Sequence, residues 1–186
     1  MKERAIILGD SPFLNEVESL LHYVLDRNYV IGINSVIRKC RVDMHAFVDI
    51  SMINLTNQRQ ELHTLTLYSY GALIQKPNKT LIDTFSYRGD YTWRDKGKLA
   101  WCGFTHDYVV SYLIDQGCKE IVLLGAADFI NGEHYSNNTF FSYSPKLREK
   151  SIEFIQDCAN RYVDIKTCNP NSLIKIPYIP IENLLE

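Results

Sequence analysis

The chain has 186 residues, 46% hydrophobic and 23% charged, with a formal net charge of −2 and a pI near 6.2. That balance fits one globular domain with a sizeable core and excludes an overall electrostatic pull toward nucleic acid or anionic membrane. No apolar run approaches the about eighteen residues of a membrane span, and the first residues lack the apolar segment of a signal peptide, so a cytoplasmic location is expected. The five cysteines (Cys40, Cys102, Cys118, Cys158, Cys168) are widely spaced, without a C-x-x-C pair. They read as reduced, buried thiols, and no Cys/His cluster has the spacing of a metal site.

In chain order, Ile6–Leu8 predicts a buried first strand that runs into the turn Gly9-Asp10-Ser11-Pro12. The apolar positions Leu14, Val17, Leu20, Leu21, Val24 and Leu25 then recur at helical spacing as far as Arg27-Asn28. A strand delivered onto a helix N-terminus presents free N–H groups and a positive dipole, which suit phosphate, although an ordinary ligand-free turn has the same profile. The spaced glycines of a dinucleotide fingerprint and the Gly-Lys-Ser/Thr of a P-loop are both missing. Tyr29–Ile33 predicts strand two, with Asn34-Ser35 opening a short helical turn, and His45–Asp49 predicts strand three. Three such units in succession argue for a parallel sheet with crossover helices.

From 51 to 100 the pattern weakens and reads as an irregular insertion or lid, with short strands at Leu65–Tyr68 and Leu81–Phe85 and a polar loop over Tyr87–Lys98. Regularity returns with a helix over Thr105–Gln116, stopped by Gly117, and a central strand over Lys119–Gly125. A loop rich in Asn, His, Tyr and Phe follows to Ser144. Leu147–Arg161 predicts an amphipathic helix with Ile152, Ile155 and Ala159 inward, then Val163–Thr167 the last strand. Asn169-Pro170-Asn171-Ser172 predicts a turn into a short helix.

Ligands of open α/β sheets bind beyond the carboxyl ends of the strands. The residues predicted there are Gly9, Asp10, Ser11, Asn34, Ser35, Asp49, Gly125, Asp128, Phe129, Asn169, Asn171 and Ser172. They suit hydrogen bonding to ribose, base and phosphate, but Asn34, Asn169 and Ser172 equally suit helix caps and Asp49 a solvated strand end. His106, beside Thr105 at a helix start, is placed to help hold phosphate. His134, in Asn131-Gly132-Glu133-His134-Tyr135, is a candidate general base. His22, His45 and His63 read as structural.

Four stretches carry a resemblance. Ile6-Ile7-Leu8-Gly9-Asp10-Ser11-Pro12-Phe13-Leu14, Ile33-Asn34, Gly117–Gly125 with Asp128-Phe129 and Asn131-Gly132, and Ser151–Phe154 with Cys168–Leu173 resemble the bacterial sialyltransferases of the Campylobacter type. They also resemble the related MptE-like and motility-accessory-factor group. The resemblance spans both ends of the chain in order but not the middle. It implies a single three-layer Rossmann-like α/β domain with a mostly parallel sheet. It further implies a nucleotide or nucleotide sugar, built on cytidine or another nucleotide-sugar carrier, held by Gly9, Ser11, Asn34, Thr105, Asp128 and Ser172, with Tyr135 at a phosphate.

The activity implied is metal-independent glycosyl transfer from a nucleotide sugar, with no further cofactor, to a glycan or other hydroxyl acceptor. Tyr143, in Tyr143-Ser144-Pro145-Lys146, stands where the family carries its catalytic His, so His134 is the expected base and Tyr143 or Tyr135 would steady the leaving group. The alternatives are a nucleotide-binding protein without transferase activity, or a pterin pyrophosphokinase-like transferase holding Mg²⁺ through Asp10, Asp49 and Asp128. An NAD-dependent oxidoreductase fits less well, because Asn34 replaces the usual ribose-binding acid. A homo-oligomer is left open.

Overall fold

The computed structural model describes residues 3–86, 98–129, 132–133, 135–136, 140–141 and 144–186. Most of the predicted loop Tyr87–Lys98 (residues 87–97), together with His134 and Tyr143, therefore lies outside the described residues. The strands are β1 (Arg4–Leu8), β2 (Val30–Ile33), β3 (Met44–Phe47), β4 (His63–Leu67), β5 (Lys79–Ile82), β6 (Thr84–Ser86), β7 (Leu99–Trp101), β8 (Glu120–Leu124), β9 (Gly132–Glu133), β10 (Phe140–Phe141) and β11 (Asp164–Thr167). The α-helices are α1 (Glu18–Arg27), α2 (Ile53–Gln58), α3 (Thr105–Asp115) and α4 (Pro145–Arg161).

Seven strands form one sheet in the order β11-β8-β1-β2-β3-β4-β5. Each neighbouring pair is parallel, with Ile6 of β1 opposite both Val30 of β2 and Val122 of β8. Strands buried on both faces read as continuous apolar runs, which is why Ile6-Ile7-Leu8 and Ile121–Leu124 were legible as strands. Alternate residues feed two cores. Ala5, Ile7, Ile31, Ile121 and Ile165 meet Tyr108, Val109 and Leu113 of α3 and Phe154, Ile155 and Cys158 of α4. Ile6, Leu8, Val30, Val122 and Leu124 meet Leu21, Val24 and Leu25 of α1, Val36 and Ile37 of a 3₁₀ turn, and Ile181 and Leu184 near the last residue. The result is a single three-layer, Rossmann-like α/β domain, as expected. All five cysteines are buried free thiols.

Four local expectations are corrected. The first helix does not start near Leu14: Ser11 caps a four-residue 3₁₀ turn with Pro12 in its first positions, and the non-helical backbone of Val17 (φ −114°, ψ 9°) delays α1 to Glu18. The predicted strand Leu81–Phe85 breaks at Asp83, whose carbonyl accepts from Leu99 N–H at 3.1 Å and so starts the separate β6–β7 pair. In α4 the buried face is Ser151, Phe154, Ile155 and Cys158, with Ile152 and Ala159 only half-buried. No helix starts directly after Ser172; the next helical turn is the 3₁₀ segment Ile181–Leu184. Instead Thr167 exchanges backbone hydrogen bonds with Pro177 and Ile179, and the chain returns beside β11 in extended form, which the fixed φ of Pro177 and Pro180 favours.

Candidate functional site at the carboxyl edge

From β1 the sheet grows through β2 to β5 on one side and through β8 to β11 on the other. The connections leaving β1 and β8 diverge there, and in parallel sheets this carboxyl edge at the switch point is where ligands bind. Gly9 N–H donates to Leu124 C=O at 2.9 Å and Ser11 N–H to Gly125 C=O at 3.1 Å, so the two turns are sewn together. A Cβ on Gly9 would lie 2.0 Å from the Gly125 carbonyl oxygen. Gly125 itself has φ +62°, which favours glycine, and a Cβ there would meet Leu14 at 2.8 Å. Phe13 N–H goes to Ser11 Oγ at 3.3 Å. This turn uses its N–H groups in its own packing.

Three groups of polar side chains line the edge. Asp10, 7% exposed, accepts from Ser35 Oγ, from Ser136 N–H at 2.7 Å and from Ser136 Oγ at 2.6 Å, while its own carbonyl accepts from Tyr135 N–H at 3.1 Å. Asp128, 1% exposed, differs: among the described residues neither of its carboxylate oxygens has a hydrogen-bond partner. Burial raises its pKa from 3.8 to about 6; Ser11 and Asn169 lie near enough to oppose the rise without completing a bond in good geometry. Asn169, also 1% exposed, uses Oδ1 to accept from Asn171 N–H at 2.9 Å, which leaves Nδ2 a buried donor without a partner among the described residues.

The third group centres on Asn34, whose Oδ1 accepts from Thr105 Oγ1 at 3.1 Å, joining the end of β2 to the start of α3. The Asn34 carbonyl accepts from His45 Nε2 at 3.0 Å, and His45 Nδ1 meets Thr56 Oγ1 at 3.1 Å. Because a carbonyl only accepts, His45 carries its proton on Nε2 and Nδ1 accepts from Thr56. Burial lowers the His45 pKa to about 3, which keeps the imidazole neutral.

Backbone conformation marks the same edge. Among the described residues the non-glycine positions with left-handed backbone are Asn34 (φ 52°), Ala127 (φ 57°) and Phe129 (φ 55°), and they follow β2 and β8. Asn tolerates that region, whereas Ala and Phe adopt it only where their surroundings impose it.

The remaining predicted residues face elsewhere. Asp49 is exposed and caps its own turn by accepting from Ser51 N–H at 2.8 Å. Ser172 accepts from Ile174 N–H at 3.2 Å within its own turn. Tyr135 donates to Glu18 Oε1 at 2.9 Å, under the Lys39 ammonium, and so ties its loop to α1.

His106 turns inward. Its Nε2 meets Ser151 Oγ at 2.9 Å, its ring stacks on Phe104 and touches Phe129 edge-on, and burial lowers its pKa to about 3. Ser151 donates to Asp107, which also accepts from Cys102 and Phe104 N–H at 3.1 and 3.0 Å. His106, Asp107 and Ser151 are at most 4% exposed, and the serine hydroxyl serves the carboxylate rather than the imidazole. They lock α3 to α4 and do not form a nucleophilic triad.

Among the described residues no group of His, Cys, Asp or Glu could hold a metal ion, so Asp10, Asp49 and Asp128 do not assemble one. Sequence reasoning missed Ser136 as a partner of Asp10 and the His45–Thr56 brace behind Asn34. A histidine inside the apolar run Met44–Phe47 was the one available sign of the brace. No known family model matches the chain, and no curated protein matches it significantly.

Proposed function

We propose that the carboxyl edge between β1 and β8 binds a nucleotide sugar, cytidine-based, and that the protein transfers its glycosyl group to a hydroxyl acceptor without a metal. The observation that carries this reading is Asp128 beside Asn169: a buried acceptor and a buried donor, both unpartnered among the described residues, at the sheet's switch point. A carboxylate accepts from the exocyclic amine of cytosine, and an amide N–H suits the neighbouring ring acceptor. Two carboxylates, Asp10 and Asp128, make this part of the edge unfit for phosphate. The phosphate belongs nearer Asn34 and the first turn of α3, whose dipole favours negative charge. Direct access to Asp128 requires covering atoms to move aside, so affinity is the net of the new hydrogen bonds and the displaced cover. The sequence resemblance supplies the glycosyl-transfer step, with His134 as base.

A thermal-shift panel of cytidine, uridine and guanosine mono- and diphosphates, with and without Mg²⁺, tests binding. A ligand at about a hundred times its dissociation constant adds about 2.7 kcal/mol, or about 5–10 °C for a chain of this size. CMP should stabilise without metal and UMP less; no shift with any nucleotide refutes the reading. A second reading, binding without transfer, is favoured by Tyr143, which stands where the resembling family carries its catalytic His. Release of CMP from a CMP-sugar, lost in His134→Ala, separates the two.

A further inference from the structure

The same edge continues past β2 and β3 to β4 and β5, where a cleft of about 530 Å³ is lined by Leu67, Tyr68, Ser69, Ile82, Asp83 and Thr84. We infer that this ledge seats the glycan acceptor, with the Tyr68 ring as its stacking platform; the inference rests on the nucleotide-sugar reading above. Tyr68 is 74% exposed, and Ile50, which follows β3 on the same edge, is 62% exposed. The turn that presents Tyr68 is braced on both sides. Tyr70 donates to Val48 C=O at 2.8 Å and stacks on Phe47, and a Cβ on Gly71 would lie 2.6 Å from Leu81 of β5. A tyrosine held this far into solvent on so firmly fixed a turn packs little of its own surface.

A sugar ring has an apolar face of C–H bonds and a rim of hydroxyls. Such a ring takes an aromatic face on one side and small polar acceptors at its edge. Tyr68 supplies the first. Ser69, Thr84 and Asp83, whose carboxylate is held by Lys98 Nζ at 2.6 Å, supply the second. Spacing supports the placement. Three strand intervals of about 4.8 Å separate β4 from β1, about 14 Å, which is the reach of a phosphate and a sugar extending from a base at β1 and β8.

The test is saturation-transfer NMR with lactose, maltotriose and chitotriose in the presence of CMP, on wild-type protein, Tyr68→Ala and Tyr68→Phe. Aromatic irradiation should reach the ring C–H protons of at least one sugar, with affinity about tenfold weaker in Tyr68→Ala and restored in Tyr68→Phe. The CMP signal should be equal in all three proteins. No transfer to any of the sugars, or transfer undiminished in Tyr68→Ala, overturns the inference, and so does a wild-type dimer that Tyr68→Ala converts to monomer. If CMP binds while the sugars do not, the ledge fails and the nucleotide reading stands. If a sugar binds through Tyr68 while CMP does not, the nucleotide reading fails and the ledge is a carbohydrate site without it.

Discussion

Replacing Asp128 by asparagine should make the protein more stable at neutral pH and cost it its base preference. Burial lifts this carboxyl from 3.8 to about 6. The folded state therefore holds the proton more tightly than the unfolded chain, so the residue favours folding at low pH, and that advantage fades as pH rises from about 4 through about 6. At about pH 7.5 the ionised carboxylate costs folding about 3 kcal/mol relative to the protonated form, at about 1.4 kcal/mol per tenfold. A neutral amide of the same shape escapes that cost. Urea unfolding of wild type and Asp128→Asn between about pH 4.5 and pH 7.5 should show the variant stabilised by about 3 kcal/mol at the upper end and about 1 kcal/mol at the lower. The difference between the two proteins is the quantity to follow, because Asp107, raised to about 7 by burial, titrates in both. In the thermal-shift panel the variant should lose its preference for CMP over UMP. A variant less stable than wild type at about pH 7.5 would refute the reasoning, since it would mean that Ser11 and Asn169 already satisfy the carboxylate.

Gly9→Ala should lower stability by about 3–5 kcal/mol, because its Cβ meets backbone at 2.0 and 2.6 Å and the hydrogen bonds from Gly9 and Ser11 must yield. A loss under about 1 kcal/mol in urea unfolding would show that the two turns can separate cheaply. Ser151→Ala should cost about 2–4 kcal/mol by leaving Asp107 and His106 each short of a buried partner. A variant of wild-type stability would mean that the lock between α3 and α4 contributes nothing measurable.

The sheet was legible because its central strands are buried on both faces and its strands end at recognisable turns: Ile6–Leu8 at Gly9, Ile121–Leu124 at Gly125, and the alternating edge strand Asp164–Thr167 at Asn169. Their parallel pairing followed from the alternation with helices. What periodicity cannot give is a partner. Ser136 and Asp10 stand 126 positions apart, and nothing local to either announces the hydrogen bond between them. The same gap explains Gly9, which reads as a phosphate-loop glycine until Gly125 is known to lie against it. It explains His106 too, whose place at a helix start suggested an anion site until α4 arrived with Ser151. The rotation of the α4 face by one residue has a different cause: Ser151 and Cys158 look polar or neutral on a helical wheel but fill the inward positions.

Asp107 and Asp128 have almost the same burial, and the contrast between them is what separates architecture from ligand chemistry at this edge. Both carboxyls are desolvated and both are raised, to about 7 and about 6. For Asp107 the fold offsets that cost: it accepts from Ser151 and from two backbone N–H groups, and it fixes the start of α3. Asp128 is opposed only by Ser11 and Asn169, neither in good hydrogen-bond geometry, and it sits between two residues in left-handed backbone, Ala127 and Phe129, that only a constraining environment would keep. An asparagine or leucine there would satisfy the fold at lower cost. On the reading proposed above, a nucleobase amine is the donor that would complete this carboxylate, which among the described residues has no partner in good geometry, and the neighbouring Asn169 amide complements the rest of that hydrogen-bonding pattern.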